Sequence, residues 1–160
     1  MRLIKNTILT LVVLCPIFVF CADKGFEVGD AKAFKYAKER AESGQPASQG
    51  SLGNCYYVGQ GVAKDYIEAV KWFRKAAEQG SAHAQYALGM CYAMGRGVNK
   101  DDIEAHAYYS LAVAAFPMAA QNLAKLEKGM SPEAKMKGQA RAKVLRLDFE
   151  TKIAAKKAGK

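Results

Sequence analysis

The pattern of hydrophobic and polar positions divides this chain into three stretches. From Ile8 to Phe20 the residues are apolar except for Thr10 and Pro16, and the only charges before them, Arg2 and Lys5, are basic. From about residue 30 to residue 128 the apolar positions recur three and four apart, the spacing of one helix face. Leu52, Cys55, Tyr56 and Gly59 follow this rule, and so do Ala69, Trp72, Phe73, Ala76 and Ala77. After Ser131 the helical spacing continues, but most of the circumference is basic.

The first stretch has the layout of a secretory signal peptide over residues 1–22, a short basic segment followed by an apolar one. A helix over its apolar part would be about 20 Å long, short of the ~30 Å hydrocarbon core. Small residues at Cys21 and Ala22 place cleavage after one of them. The expected location is therefore periplasmic or secreted. The alternative is an inner-membrane anchor left uncleaved, with Leu3 and Ile4 lengthening the run. Lipidation is disfavoured, because Phe20 and Leu14 precede Cys21 and Cys15 where a small residue is needed.

The second stretch repeats itself. Shifted by 36 residues, Gln49, Leu52, Gly53, Cys55, Tyr56, Gly59, Gly61 and Val62 fall on Gln85, Leu88, Gly89, Cys91, Tyr92, Gly95, Gly97 and Val98. Lys64, Asp65, Ile67, Glu68 and Ala69 fall on Lys100, Asp101, Ile103, Glu104 and Ala105, so 13 of 21 positions coincide. Such a period marks a stacked-repeat architecture. Each copy reads as two helices joined by a glycine-bearing loop. Gly53 and Gly89 let a neighbouring helix approach closely, Gly59 and Gly95 suit a left-handed helix end, and Gly61 and Gly97 suit positive φ in the loop. Asp65 and Asp101 are expected to cap the second helices, with Glu68 and Glu104 completing a capping-box variant. Gly80 ends one helix and Ser81 caps the next.

The series Leu52-Gly53-x-x-Tyr56-x-x-Gly59-x-Gly61-Val62-x-x-Asp65, followed by Ala69-x-x-Trp72-x-x-x-Ala76-Ala77-x-x-Gly80, resembles the Sel1-like repeat, a relative of the tetratricopeptide repeat. In the second copy Tyr108 replaces the tryptophan, and Val113 and Phe116 replace alanine and glycine. The resemblance implies an all-α solenoid of helical hairpins. A repeat domain is expected over 27–128: a half repeat 30–44, repeats 45–80 and 81–116, and a partial copy 117–128. A basic capping helix and tail would follow over 131–160.

The length corresponds to about one domain. The formal charge of +9 is unevenly placed: residues 23–124 carry 11 basic and 11 acidic side chains, and residues 125–160 carry 11 basic and 4 acidic. Ser131, Pro132 and Glu133 make a helix start, expected to run to about Ala155. Met136, Ala140, Val144 and Leu147 are expected to cover the open end of the solenoid. The basic exterior suggests a weak contact with anionic lipid, acidic cell-wall polymer or an acidic partner. Nucleic acid fits poorly, since the tail lacks interleaved aromatic residues.

Residues carrying chemistry are sparse. His83 and His106 have no metal-binding spacing, and a surface or semi-buried role is expected for both. Gly59-x-Gly61 and Gly95-x-Gly97 lack the third glycine of a phosphate loop and recur at the repeat period. Some Sel1-like proteins are described as acting on β-lactams. None of Ser43, Ser48, Ser51, Ser81, Ser110 and Ser131 has lysine three positions on. No catalytic residue, metal or cofactor is therefore assigned. Cys55 and Cys91 are the two candidates for a disulfide in the mature chain, but equivalent helices of stacked repeats lie about 8–10 Å apart, so two buried thiols are expected.

The remaining chemistry is surface. Asn54, Tyr57, Tyr86 and Met90 (with Ala93) are expected to line a groove for another protein, offering amphipathic and adaptable contacts. The expected function is an exported scaffold or adaptor in the bacterial envelope. The alternatives are an immunity protein that neutralises a toxin delivered to the periplasm and, disfavoured, an enzyme acting on β-lactams or peptidoglycan.

Overall fold

The computed structural model describes residues 28–159, so the expected signal segment lies outside the described residues. These form seven helices: α1 (Val28–Glu42), α2 (Pro46–Val58), α3 (Tyr66–Ala77), α4 (Ala82–Met94), α5 (Asp102–Ala112), α6 (Pro117–Glu127) and α7 (Pro132–Ala158). Among the described residues there is no strand. Helices α2–α3 and α4–α5 form two hairpins at the 36-residue offset, with α1 before them and α6 after them. Each helix from α1 to α6 packs on its chain neighbour, and α5 receives α7 as well. The result is an all-α solenoid of helical hairpins.

The helix ends form where the sequence places them. Asp65 accepts from the backbone N–H groups of Ile67 and Glu68 at 2.9 and 3.0 Å, and Asp101 accepts from those of Ile103 and Glu104 at 2.8 and 3.0 Å. Ser81 and Ser131 accept from Ala84 and Ala134. The capping-box expectation is corrected in one respect. The backbone N–H groups of Asp65 and Asp101 donate to the carbonyls of Tyr56 and Tyr92, at 2.9 and 3.1 Å, so Glu68 and Glu104 have nothing to close on. Those carboxylates pair instead with Lys71 and Arg141.

Interior glycines explain how tightly the hairpins close. A Cβ on Gly53 would lie 2.7 Å from the Phe73 ring, and one on Gly89 would lie 2.5 Å from the ring of Tyr109. Phe73 and Tyr109 are themselves 36 apart, so one glycine–aromatic contact is used in both hairpins. The main core combines Phe73, Leu88 and Cys91 with Ala69, Ala76, Ala77, Ala84 and Ala87, small side chains that let helix axes approach. Leu52 is fully buried as well. Trp72 is only half-buried, with Lys75 Nζ 4.0 Å from its ring centroid. Its equivalent Tyr108 is buried and stacks on Tyr92 at 5.6 Å.

The final helix overturns one expectation. Met136, Val144 and Leu147 are 69, 56 and 64% exposed, and Ala140 is exposed too, so this face covers nothing. The buried face is Gly138, Ala142, Leu145 and Phe149, almost opposite on the helical wheel. Helix α7 also packs against α5 rather than closing the end beyond α6. Close approach and charge decide between the two stripes. A Cβ on Gly138 would meet the His106 ring at 2.6 Å, so only glycine admits that contact. The same rotation sets Arg141 on Glu104 at 2.5 Å and Lys152 on Glu78 at 3.0 Å.

Candidate partner-binding surface

The four residues expected to line a groove do not act together. Tyr86 is 7% exposed; its ring packs on Phe116 at 4.7 Å and its Oη accepts from Asn122 Nδ2 at 3.0 Å. Tyr57 is half-buried, with its ring 5.1 Å from that of Tyr66 and its Oη accepting from Arg96 Nη1 at 2.6 Å. Both tyrosines therefore hold the repeats together, because each hydroxyl finds a partner inside the solenoid. Asn54 is exposed, and Met90 is half-buried beside the cluster containing Tyr86 and Tyr109.

A different pairing survives at the surface. One turn beyond Asn54 and Met90 stand Val58 and Met94, each 54% exposed and again related by 36 residues. Helices α2 and α4 thus present Asn54/Val58 and Met90/Met94 at matching heights. The step of four residues along each helix is the signal that would have found Val58 and Met94 in the sequence. Nearby, the Arg96 guanidinium lies over the rings of Tyr57 and Tyr66, at 5.5 and 5.4 Å, and ties one hairpin to the next. Val58, Met90 and Met94 are the apolar members of the surface pairing, displayed on two helices. Large apolar side chains of this kind suit contact with another protein.

His106, Cys55 and Cys91 are turned inward. His106 was expected at the surface or half-buried but is 1% exposed. Its Nε2 lies 2.9 Å from Glu127 Oε1 and its Nδ1 lies 3.3 Å from Ser110 Oγ. The Ser110 hydroxyl donates to the His106 carbonyl at 2.8 Å, and Gly138 seals the ring. This serine–histidine–glutamate trio is thus a junction of α5, α6 and α7. Cys55 and Cys91 are both buried. Burial pushes the Cys91 thiol up to about 11, which keeps it protonated and unreactive at neutral pH. His83 is exposed, with Phe116 6.0 Å away. Among the described residues no three His, Cys, Asp or Glu side chains are grouped to hold a metal ion. No described helix is long and apolar enough to cross a membrane.

Stacked helical hairpins define a helical-repeat protein. The Sel1 repeat family model matches residues 46–81 and 82–115. Those residues carry two Sel1 repeats, and such repeats generally mediate protein–protein interaction. Two solved structures are similar to it. One is c5321, a protective antigen present in uropathogenic Escherichia coli strains displaying an SLR fold, with 29% identity and a TM-score of 0.75 over 89% of this chain. The other is a Sel1 repeat protein from Oxalobacter formigenes, with 38% identity and a TM-score of 0.57 over 60% of this chain. The alignments span 31 and 28% of those longer chains. No match was found among curated proteins.

Proposed function

We propose that this protein is an exported adaptor of the bacterial envelope that binds another protein through the face carrying Asn54, Val58, Met90 and Met94. The observation that carries the reading is the matched pair of apolar side chains, Val58 and Met94, held equally exposed on consecutive repeats. Leaving large apolar side chains in water costs free energy that a partner recovers by covering them. Export follows from the basic start and apolar run before Cys21.

Capture from an envelope fraction, followed by mass spectrometry, tests the binding face. Val58→Asp/Met94→Asp should lose the partner held by the wild-type chain, while the fold keeps its helical circular dichroism, since both side chains are exposed. Undiminished capture by this variant would overturn the assignment. N-terminal sequencing of the cell-derived protein tests export, with Ala22 or Asp23 expected as the first residue.

A further inference from the structure

The carboxy-terminal part of α7 closes a cleft against the first hairpin, with a volume of about 490 Å³. Four lysines reach it, Lys75 from α3 and Lys152, Lys156 and Lys157 from α7. The one carboxylate lining it, Glu78, is already paired with Lys152 at 3.0 Å. Four ammonium groups against Glu78 and the Asp148 carboxylate that also pairs with Lys152 leave a local charge of +2. No ion pair joins Lys75, Lys156 or Lys157 to a carboxylate among the described residues.

Three of these lysines are held in place. Lys152 lies between Glu78 and Asp148, at 3.0 and 2.9 Å. Lys156 donates to Gln79 Oε1, and Gln79 Nε2 donates at 2.7 Å to Oε1 of the buried Gln49. The Gln49 amide is anchored in turn on the Ala41 carbonyl, at 3.3 Å. Lys75 is drawn over the Trp72 ring, at 4.0 Å from its centroid. A lysine on an open surface loses rotamer freedom when it binds an anion, and here much of that loss is already incurred by folding. Pro46 and Ile153 give the cleft an apolar side between the charges.

We infer that this cleft binds an acidic peptide segment, its carboxylates on Lys75, Lys156 and Lys157 and an apolar side chain against Pro46 and Ile153. The concave shape favours a narrow chain over a bilayer surface. The cleft is lined by ammonium point charges without a guanidinium fork, so it takes separate carboxylates rather than one bidentate group. This deepens the protein-binding reading by giving one partner segment its charge. It involves none of Val58, Met90 and Met94, so either surface can fail while the other stands.

The test uses the full folded chain and a fluorescent synthetic peptide of Glu and Leu residues. Saturable binding is expected, weakening at least about tenfold in Lys75→Glu/Lys156→Glu. It should also weaken when salt rises from about 0.1 to about 1 M, which shortens the screening length from about 10 to about 3 Å. Lys64→Glu/Lys100→Glu makes the same change in net charge at the opposite end of the hairpins and should leave binding intact. Lys75→Ala/Lys157→Ala serves if the reversal variant loses helicity. Equal weakening by both reversal variants, or no saturable binding, would overturn the cleft. Phosphatidylglycerol vesicles form the second arm. Vesicle binding lost in Lys75→Glu/Lys156→Glu, without peptide binding, would reassign the site to lipid and refute the peptide.

Discussion

Gly97 shows how much one carbon atom decides. Its φ of +70° lies in the left-handed region, and a Cβ there would fall on the Tyr66 carbonyl of the preceding hairpin. Gly59 has φ +88° but only ordinary contacts around it, the nearest being Lys64 at 3.4 Å. Gly59→Ala should therefore cost about 1 kcal/mol, from backbone strain alone. Gly97→Ala should cost about 3 kcal/mol, because strain and a backbone collision add. Urea titrations of the two variants check the difference, and equal costs would show that the collision relaxes freely. The positive φ of both glycines was legible in the sequence from their place after the helix. The collision was not, since Tyr66 belongs to the other repeat.

Among the elements, α7 carries the sharpest contrast. Its two apolar stripes are equally helical in spacing, and composition favours the outer one, with Met136, Val144 and Leu147. The inner one is chosen because Gly138 and Ala142 allow the backbone to approach α5, where His106 fills the space over Gly138. Leu145→Ala and Phe149→Ala should each cost about 2–4 kcal/mol, since both side chains are 6% exposed. Met136→Ala and Leu147→Ala should stay within about 0.5 kcal/mol. Chemical unfolding of the four variants separates the two faces; large costs on the outer face would mean that α7 is turned the other way. The caps at Asp65, Ser81, Asp101 and Ser131 were readable because a cap is a local bond between neighbours in sequence. The failure of Glu68 and Glu104 to complete a box was not, because it depends on carbonyls at Tyr56 and Tyr92 in the helix before.

At the scale of the molecule, burial between hairpins sets the response to alkali. Burial, with Tyr86 adding to it, pushes Tyr109 from 10.0 up to about 12, and burial raises Cys91 from 9.0 to about 11. Tyr108 is raised as well, chiefly by burial and then by Tyr92 and Glu104. In the unfolded chain these groups release their protons near the ordinary values, while the folded chain still holds them. Rising pH therefore favours the unfolded state through that window. The stability contributed by Cys91 and Tyr109 should be complete below pH 9.0, fall between 9.0 and about 12, and be lost beyond it. Circular dichroism along an alkaline titration should show the helices melting in that range, with Tyr109→Phe moving the midpoint upward. An unchanged midpoint in that variant would place the alkaline sensitivity elsewhere.

The sequence alone determined the repeat length, the hairpin within each repeat, the capped helix starts and the glycine-marked turns. Each of these rests on residues within a few positions of one another, or on the same solution used twice. The tertiary structure decided which side of α7 faces inward, that Tyr57 and Tyr86 are structural rather than exposed, that His106 joins three helices, and that lysines from distant segments converge beside Gln49. Those outcomes depend on which surfaces meet when hairpins stack, and helical periodicity fixes the faces of a helix without specifying what each will touch.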